Sequence, residues 1–174
     1  MEEIKFEKVS YEQFYKDSKK LGFIDEEIKE AYDGIVLPKR GTKGSAGYDF
    51  VTPFAFELYP RKILGKYYSE RKVVTLPTGI RAKMPQNVCL VLMPRSGLGF
   101  KSGMYLANTL GLIDSDYYYS DNEGHIMMKF CYGFSDLEVK QFERVMQGVF
   151  LPYFQVDNDT TSNERNGGFG STGR

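Results

Sequence analysis

Short apolar segments separated by glycine and proline make up most of the chain from Val36 onward. The segments are rich in valine, isoleucine, leucine, tyrosine and phenylalanine, residue types that mostly favour strands. Several short strands with frequent turn signals are typical of an all-β sandwich or barrel. Together with a similar segment near the N-terminus, the pattern predicts strands at Ile4–Val9, Tyr48–Phe56, Lys72–Leu76, Gly79–Lys83, Val88–Met93, Thr109–Ile113, His125–Cys131 and Val145–Gln155.

The polar pattern that follows the first strand predicts two helices. Ser10 followed by Gln13 has the spacing of a capping box, which starts a helix that ends near Gly22. Asp25 begins a second helical segment, rich in glutamate and lysine, that stops before Gly34. The sequence therefore combines a helical N-terminal segment with a β-rich remainder.

The tail from Asp157 is polar and rich in glycine, so we expect it to be mobile when nothing is bound. Its glycines expose backbone N–H groups, Ser171 and Thr172 add hydroxyl donors, and Arg165 adds positive charge. A polyphosphate needs this combination, because each anionic oxygen requires donors without steric crowding. Phe169 favours a bound partner, since an exposed aromatic ring usually stacks on something. The alternative is a flexible end without a function of its own.

Composition and charge narrow the functional classes. The chain has 174 residues, enough for one domain with a sizeable core, and its hydrophobic content of 41% fits a globular protein. It has 23 lysines and arginines against 23 aspartates and glutamates, so general electrostatic attraction to nucleic acid or to a membrane surface is disfavoured. No apolar run approaches the roughly 20 residues that span a bilayer. We therefore expect neither a membrane protein nor a direct nucleic-acid binder.

The cysteines indicate a reducing compartment. Cys89 and Cys131 both lie in apolar strand-like segments, which favours buried free thiols and a cytoplasmic protein. His125 is the single histidine, so a zinc site of the usual histidine and cysteine kind is hard to assemble. A position in a loop or at a strand end is the more ordinary interpretation of His125 than catalysis.

The segment from Tyr105 to Tyr117 is the first candidate site. Asp114 and Asp116 are two positions apart, and in a strand this spacing would point both carboxylates to one face. Gly111, just upstream, permits a close backbone approach. Carboxylates beside an apolar segment are costly to bury unless they are paired, hydrogen-bonded or used in chemistry.

Three further segments offer polar groups. Arg95–Gly97 follows an apolar strand and would present a guanidinium, a hydroxyl and a free amide to an anion, with an ordinary turn as the alternative. Asp49 follows small residues and either begins a strand or reaches the water shell of a metal. Arg144 and Gln147, at the start of an apolar strand, have the character of edge residues when taken alone.

Taken in order, these segments resemble the homotrimeric deoxyuridine triphosphatase (dUTPase) family. Its five motifs are matched by AGYD at 46–49, PRSG at 94–97, NTLGLIDSDY at 108–117, ERVMQ at 143–147 and GGFGSTG at 167–173. The resemblance implies an all-β, dUTPase-like distorted jelly-roll β-barrel over residues 1–156, with residues 10–33 as a helical insertion. It also implies a flexible arm at residues 157–174 that closes over the active site, and a homotrimer in which each site is shared between subunits.

The resemblance implies a dUTP diphosphatase, which hydrolyses dUTP to dUMP and pyrophosphate. Asp114 matches the family's general base, which activates a water for attack on the α-phosphorus, and a positioned carboxylate suits that task. Arg95 would orient this carboxylate. Asp49 would bind a water of the Mg²⁺ that the triphosphate chelates.

The resemblance also assigns residues to the parts of the substrate. Ser96 and Gly97 would contact the phosphates with Gln147 nearby, and Asn108 with backbone groups would hold uracil. Cytosine reverses a donor and an acceptor, so this pattern would reject it. Tyr117 would lie under the deoxyribose and leave no room for a ribose 2′-hydroxyl. The full substrate-binding set is Ser96, Gly97, Asn108, Gly111, Tyr117, Gln147, Arg165, Phe169, Gly170, Ser171 and Thr172.

The chain departs from the family's usual pattern in three places. In the arm, Arg165, Ser171 and Thr172 would hold the γ-phosphate end and Phe169 would stack on uracil, but Arg165 lies four residues before Phe169 where the family more often has five. Residues 118–125 form a longer segment than the usual hairpin turn. The N-terminal helices extend a part of the chain that is usually one short strand.

Two alternatives remain open from the sequence. A dCTP deaminase has the same fold, but deamination needs a glutamate at the amino group of the base, and no matching glutamate motif stands beside Asn108. A regulatory module would keep the fold and bind a protein partner through the helices or the 118–125 segment. Such a partner would not exclude catalysis, and the intact set of motifs favours an enzyme.

Overall fold

The protein is described by a computed structural model, and the structure describes residues 3–58, 61–63, 66–68, 73–131 and 135–162. The helices are α1 (Tyr11–Lys20), α2 (Asp25–Asp33) and α3 (Ser96–Ser102), and a 3-10 helix lies at Ser115–Tyr119. The strands are β1 (Lys5–Lys8), β2 (Lys39–Arg40), β3 (Tyr48–Val51), β4 (Phe56–Leu58), β5 (Arg61–Ile63), β6 (Lys66–Tyr68), β7 (Val73–Pro77), β8 (Ile80–Lys83), β9 (Val88–Pro94), β10 (Tyr105–Leu106), β11 (Gly111–Ile113), β12 (Met127–Cys131), β13 (Leu137–Val139) and β14 (Arg144–Pro152).

Antiparallel sheets contribute to one apolar core. The largest sheet has the order β11-β9-β14-β3-β2, a second has the order β10-β12-β7, and β1 pairs with β8, β13 with β4 and β5 with β6. Phe50, Leu90 and Leu92 of the largest sheet and Phe130 of the second are buried in the same cluster. Burial of such a side chain contributes about 1.5–3 kcal/mol. The predicted all-β fold class is confirmed, and the sheets fit the expected jelly-roll barrel.

Several predicted strand boundaries are wrong, and for three of them a local backbone feature gives the reason. Tyr48–Phe56 divides into β3 and β4, because Pro53 has no N–H to donate to a ladder. β11 begins at Gly111 because Thr109 has a φ of 68°, in the left-handed region that a strand excludes. β14 ends at Pro152, again at a proline, instead of continuing.

The prediction that Asp114 and Asp116 share one strand face is wrong. β11 ends at Ile113, and Asp114 precedes the 3-10 helix that contains Asp116. The chain turns here because Tyr117 N donates to Asp114 O at 3.2 Å and Ser120 N donates to Tyr117 O at 3.1 Å. The period of two therefore stops applying before the second carboxylate.

Both N-terminal helices are confirmed, but the predicted capping box is only half formed. Ser10 Oγ accepts from Gln13 N at 3.1 Å and caps α1. In a complete capping box the Gln13 side chain would accept from Ser10 N. Here the Glu123 carboxylate takes that place and accepts from Ser10 N at 2.8 Å and from Ser10 Oγ at 2.6 Å. Gln13 Nε2 instead donates to Asp17 Oδ2 at 2.6 Å. A carboxylate is a stronger acceptor than an amide oxygen, which favours the distant glutamate.

The N-terminal helices share the core of the barrel. Phe14 of α1 and Ile28 of α2 are fully buried. The Phe14 ring stacks parallel to that of Phe54 with centroids 5.9 Å apart, and the Phe23 ring stacks on Phe54 at 3.7 Å. Aromatic pairs of this kind contribute about 0.5–1.5 kcal/mol beyond their burial. The helices are therefore packed into the fold and not attached loosely to its surface.

The turn after the 3-10 helix has an unusual backbone. Glu123 and Gly124 are both left-handed, with φ values of 57° and 67°. A Cβ on Gly124 would lie 2.7 Å from Tyr118 Cα and 2.8 Å from Tyr117 O, so no side chain fits there. Glu123 adopts the same region at a cost of about 1–2 kcal/mol, because its Cβ is crowded. The longer 118–125 segment is thus a tightly wound turn.

Replacement of Gly124 tests this close approach, with Gly22 as the matched control. Both glycines have a positive φ, but a Cβ on Gly22 would meet nothing within 4 Å. We expect Gly22→Ala to lower the free energy of unfolding by about 1 kcal/mol, from the backbone strain alone. Gly124→Ala should cost about 3 kcal/mol or more, because the adjoining backbone must also shift. Urea unfolding measures both values, and equal losses would contradict the close approach.

Candidate active site

Neighbouring strands bring polar side chains of separate motifs together. β3, β14 and β9 pair so that Asp49 is opposite Gln147 and Gln147 is opposite Met93. Side chains directly opposite each other in antiparallel strands lie on one face. Arg95 follows β9, and its N–H donates to Val145 O at 3.0 Å, so that it lies beside this row.

Asp49 is held between two arginines. Arg95 Nε lies 3.1 Å from Asp49 Oδ1, and Arg144 Nη1 lies 3.2 Å from Asp49 Oδ2. The Asp49 side chain is 14% exposed, whereas those of Arg95 and Arg144 are 36% and 54% exposed. We call Asp49, Arg95, Arg144 and Gln147 the arginine cluster. Two guanidiniums against one carboxylate leave a net positive charge, which attracts an anion.

Arg144 is the residue of this cluster that sequence reasoning missed. It had the character of an edge residue, but the structure gives it the Asp49 carboxylate as a partner. β14 has a register shift between Arg144 and Met146, which changes the direction of the strand at this point. The sequence could have indicated a site role for Arg144, because Arg144 belongs to the same short motif as Gln147.

Ser96 and Gly97 begin α3, where the sequence had left an ordinary turn open. A Cβ on Gly97 would meet nothing within 4 Å, so packing within the chain does not require a glycine there. The space left open fits the approach of a ligand or of another chain. The adjoining cleft of about 360 Å³ is lined by Pro94, Arg95, Ser96, Gly99, Phe100, Met104 and Tyr105.

Asn108 lies in the turn between β10 and β11, and Gly111 is the first residue of β11. Asn108 is exposed, and its backbone oxygen accepts from Leu110 N at 2.7 Å. Gly111 is opposite Leu92, and a Cβ on it would come within 3.0 Å of Leu92 Cβ. Packing therefore explains Gly111 without a ligand, whereas the exposed side chain of Asn108 is open to one.

Asp114 lies at the opposite end of β9 from Arg95. β11 pairs with β9 so that Ile113 is opposite Leu90, which brings Asp114 level with Cys89. The six steps along the chain from Cys89 to Arg95 span roughly 20 Å, at about 3.3 Å per residue of strand. This distance is longer than any pair of side chains can bridge.

The surroundings of Asp114 support this placement. Burial, followed by the negative charge of Asp114, raises the pKa of Tyr153. Tyr153 N donates to Asn87 O at 3.0 Å and its hydroxyl donates to Gln86 O, so this phenol lies just before the start of β9. Within one chain, Arg95 therefore does not reach Asp114. The orienting role predicted for Arg95 requires the Asp114 of a second subunit.

Tyr117 is buried, with 5% of its surface exposed. Its hydroxyl donates to His125 O at 2.7 Å and accepts from Asn122 Nδ2 at 2.8 Å. In a single chain the turn that follows encloses the ring, and its role beneath a sugar stays a prediction. The predicted site residues of the tail lie outside the described residues: Arg165, Phe169, Gly170, Ser171 and Thr172.

The described residues offer no closed metal cage. Nowhere among them do three or more histidine, cysteine, aspartate or glutamate side chains form a group that could hold a metal ion. Asp49 carries carboxylate oxygens, the type of ligand that Mg²⁺ prefers. The residues present therefore fit an ion that brings most of its ligands with it and meets Asp49 through a water.

Comparison with known proteins finds relatives of the β-rich part of the chain. The sequence model of the dUTPase family matches residues 33–173. A deoxyuridine 5′-triphosphate nucleotidohydrolase of Lactococcus lactis is 41% identical over 145 residues, which cover 80% of this chain and 89% of the relative. A dUTPase from Streptococcus mutans has a similar crystal structure, with a TM-score of 0.62, 31% identity, and coverage of 88% of this chain and 98% of that one. A dUTPase of phage phi11 of S. aureus, in which coordination of a structural Mg(II) ion is described, shares the fold with a TM-score of 0.59 and 13% identity, over 93% of this chain and 98% of that one.

Asp49→Asn tests whether the carboxylate restrains the two arginines. The amide keeps the shape of the side chain but leaves both guanidiniums without their anion. We expect inorganic triphosphate to bind about 1.4- to fivefold more tightly in EDTA, which corresponds to the 0.2–1 kcal/mol of an exposed ion pair. Asp33→Asn, on the exposed surface of α2, makes the same charge change away from the cluster. Isothermal titration calorimetry measures the affinities, and the same affinity in both variants would contradict the restraint.

Proposed function

The chain belongs to the dUTPase family, and from this premise we propose that it hydrolyses dUTP to dUMP and pyrophosphate. The observation that carries the proposal is the arginine cluster, in which arginines from the second and fourth family motifs contact the carboxylate from the first. A cluster with net positive charge suits a polyanionic substrate. The assignment of dUTP as that substrate rests on membership of the dUTPase family.

Asp114 is the group to which we assign the proton transfer. Water is a poor nucleophile at neutral pH, and a positioned carboxylate accepts its proton as it attacks. The new bond joins the water oxygen to the α-phosphorus. The bond from the α-phosphorus to the oxygen that bridges to the β-phosphate breaks, and pyrophosphate leaves with the electron pair. The proton stays on Asp114 until solvent removes it.

The arginine cluster and the start of α3 would hold the phosphates. Arg95 and Arg144 already contact one carboxylate, so phosphate oxygens would enter a site whose donors are in place. Ser96 would add its hydroxyl, and Gly97 would let a phosphate approach the backbone without a Cβ in the way. Gln147 would add an amide donor beside them.

We propose that Mg²⁺ enters with the triphosphate. When bound, it would supply positive charge that offsets the negative charge developing on the phosphates during the transfer. Asp49 would hold one of its waters. The two arginine contacts fix the position of this carboxylate in advance.

We propose a homotrimer with shared active sites, and the separation of two groups supports it. Arg95 and Asp114 of one chain are at opposite ends of β9, so a working site needs Arg95 of one subunit to orient Asp114 of another. An apolar row on the largest sheet supports association. In this row Leu112 is 61% exposed and lies opposite Val91, which lies opposite Val149. Exposed apolar patches of this kind mark interaction surfaces.

Recognition of the base and of the sugar is assigned to the hairpin segment. Asn108, together with backbone groups near Gly111, would hydrogen-bond to uracil. A site built to pair with these groups rejects cytosine strongly, because buried polar groups would be left unpaired. Tyr117 would lie under the deoxyribose and exclude a ribose 2′-hydroxyl.

We propose that residues 1–156 form the barrel domain and that residues 157–174 form an arm that closes over the nucleotide. The arm has the donors that a polyphosphate needs, and closure would exclude water from a charged transition state. The arm residues assigned to the nucleotide are Arg165, Phe169, Gly170, Ser171 and Thr172.

The two alternatives from the sequence are not favoured. The relatives described above are nucleotidohydrolases, which argues against a deaminase. A binding module without the reaction is disfavoured because the arginine cluster is intact. A regulatory protein partner has no support of its own.

We propose a cytoplasmic location. Cys89 and Cys131 are free and buried, which fits a reducing compartment. In the part of the chain that the structure describes, every helix is too short or too polar to cross a bilayer.

Asp114→Asn tests the assigned base, with Asp116→Asn as its neighbouring control. The amide keeps the shape of Asp114 but accepts no proton, so we expect pyrophosphate release from dUTP to fall at least about 100-fold. Binding of a non-hydrolysable dUTP analogue should change little. Asp116→Asn should retain most of the turnover, because one base suffices. Equal losses in the two variants would contradict the assignment.

Mixed trimers test whether the sites are shared. Arg95→Ala and Asp114→Asn should each be inactive alone, since every site lacks one group. After unfolding and refolding together in equal amounts, about one quarter of the sites should combine an intact Arg95 with an intact Asp114 from different subunits. Pyrophosphate release should therefore recover to that fraction of the wild-type rate. An absence of recovery in verified mixed trimers would place both groups of a site in one chain.

A further inference from the structure

Two side-chain contacts tie helix α1 to the turn that follows the candidate base. Ser10, the N-cap of α1, donates through N and Oγ to the Glu123 carboxylate at 2.8 and 2.6 Å. On the same helix, Asp17 Oδ2 lies 2.7 Å from His125 Nδ1. We call these two contacts the α1 latch. Both partners in the turn lie close in sequence to the segment that bears Asp114.

His125 uses both of its ring nitrogens. The side chain is fully buried, and Nε2 accepts from Gly79 N at 2.9 Å. Because Nε2 is an acceptor, Nδ1 carries the proton and donates it to Asp17. Burial raises the pKa of Asp17, but hydrogen bonds from His125 and Gln13 outweigh burial and leave the pKa below its ordinary value. A charge-assisted hydrogen bond thus holds the turn against α1.

The backbone of His125 continues the connection toward the site. Tyr117 donates its hydroxyl proton to His125 O at 2.7 Å, and Asn122 Nδ2 donates to the Tyr117 hydroxyl at 2.8 Å. Tyr117 N in turn donates to Asp114 O at 3.2 Å. A series of hydrogen bonds therefore runs from Asp17 through His125 and Tyr117 to the backbone of the candidate base.

The turn does not hold its shape by itself. Glu123 and Gly124 are consecutive left-handed residues. Within the described part of the chain, Ser120 Oγ and Asn122 Oδ1 are buried without a hydrogen-bond partner. Such a buried polar atom costs about 1–3 kcal/mol. A turn with these costs depends on contacts from outside it, and the α1 latch provides two.

We propose that Asp17 is a positioning residue of the active site, which acts through His125 to fix Tyr117 and the segment that bears Asp114. The inference rests on the proposed function, in which Tyr117 excludes the ribose 2′-hydroxyl. Helix α1, which lengthens the usual N-terminal part of the family, then sets the selectivity between dUTP and UTP. When the latch opens, Tyr117 loses its fixed position and the sugar pocket admits the extra hydroxyl.

Substitution at Asp17 tests the proposal by kinetics. Asp17→Ala removes the acceptor of His125, and Asp33→Ala removes an exposed carboxylate of α2 that pairs with Lys29 on the surface. We expect Asp17→Ala to lower the ratio of kcat/KM for dUTP to that for UTP about three- to tenfold, mainly through a lower KM for UTP. Asp33→Ala should leave the ratio unchanged. Asp17→Asn keeps an acceptor oxygen and should restore most of it.

These readouts separate positioning from stability. A purely structural role of Asp17 would reduce the fraction of folded enzyme, and with it the apparent kcat for both nucleotides, but would change neither KM nor the ratio. Selectivity lost in Asp17→Ala and recovered in Asp17→Asn supports the proposal. An unchanged ratio in a folded Asp17→Ala enzyme overturns it.

Two substitutions at His125 separate the latch from the rest of the turn. His125→Asn keeps a donor near the Nδ1 position for Asp17 and loses the acceptor for Gly79. His125→Gln keeps the acceptor and loses the donor. Each leaves one buried group unpaired, so their losses of stability should be similar. We expect His125→Gln to lose selectivity and His125→Asn to keep it, and the opposite order overturns the proposal.

Because His125 is the single histidine, its imidazole also reports on the latch without turnover. In the ¹⁵N-histidine-labelled wild-type protein we expect the Nδ1–H tautomer, and a change of its ring shifts when a non-hydrolysable dUTP analogue binds. Unchanged shifts at saturation overturn the coupling. Hydrolysis of dUTP by the wild type tests the proposed function separately. If the wild type is active and Asp17→Ala matches Asp33→Ala, the positioning role alone fails, whereas a wild type without dUTP turnover overturns the proposed function itself.

Discussion

The antiparallel pairing of β11 with β9 is the constraint on which the active site depends. With Gly111 opposite Leu92 and Ile113 opposite Leu90, the chain leaves β11 at the start of β9, whereas Arg95 follows the end of β9. A slip of one residue would turn the inward side chain of Ile113 to solvent, so hydrophobic burial fixes the register. The same burial that folds the chain therefore separates the candidate base from the arginine. In the proposed function each folded chain holds two parts of a site, which assembly of the subunits would join.

The charges of the arginine cluster are arranged before a substrate arrives. Arg95 and Arg144 repel each other, and Asp49 between them offsets that repulsion and fixes both guanidiniums. A triphosphate offers several anionic oxygens where the cluster has one carboxylate, which favours a polyanion over a single charge. The cluster has donors in excess and a carboxylate that is already engaged. The proposed mechanism therefore assigns the proton transfer to a second carboxylate, that of Asp114 from a neighbouring subunit.

Local sequence pattern predicted the long buried strands and the N-terminal helices. The predicted strands Val88–Met93 and Gly79–Lys83 each differ from β9 and β8 by only one residue. They were predictable because the apolar content of these segments decides their burial. Strands of two or three residues, such as β2, β10 and β13, carry too little periodicity to be recognised. The order of the motifs identified Asp49, Arg95 and Gln147, which the structure brings together at one end of the sheet.

Local sequence patterns gave wrong predictions where a distant part of the chain decides the local structure. Ser10 takes Glu123 in place of Gln13 as the acceptor of its N–H, a contact over 113 residues that a local capping rule does not contain. Asp114 and Asp116 do not share a face, because the chain enters a 3-10 helix where the period of two was assumed to continue. The separation of the base from the arginine likewise needs the strand register, which the sequence does not state.

A crystal structure with a non-hydrolysable dUTP analogue and Mg²⁺ tests the central claim most directly. We expect each nucleotide to contact Arg95 of one subunit and to have the Asp114 carboxylate of another subunit within about 3 Å of a water in line with the α-phosphorus. A nucleotide whose phosphates meet Arg95 and whose in-line water meets Asp114 of the same chain would contradict the claim.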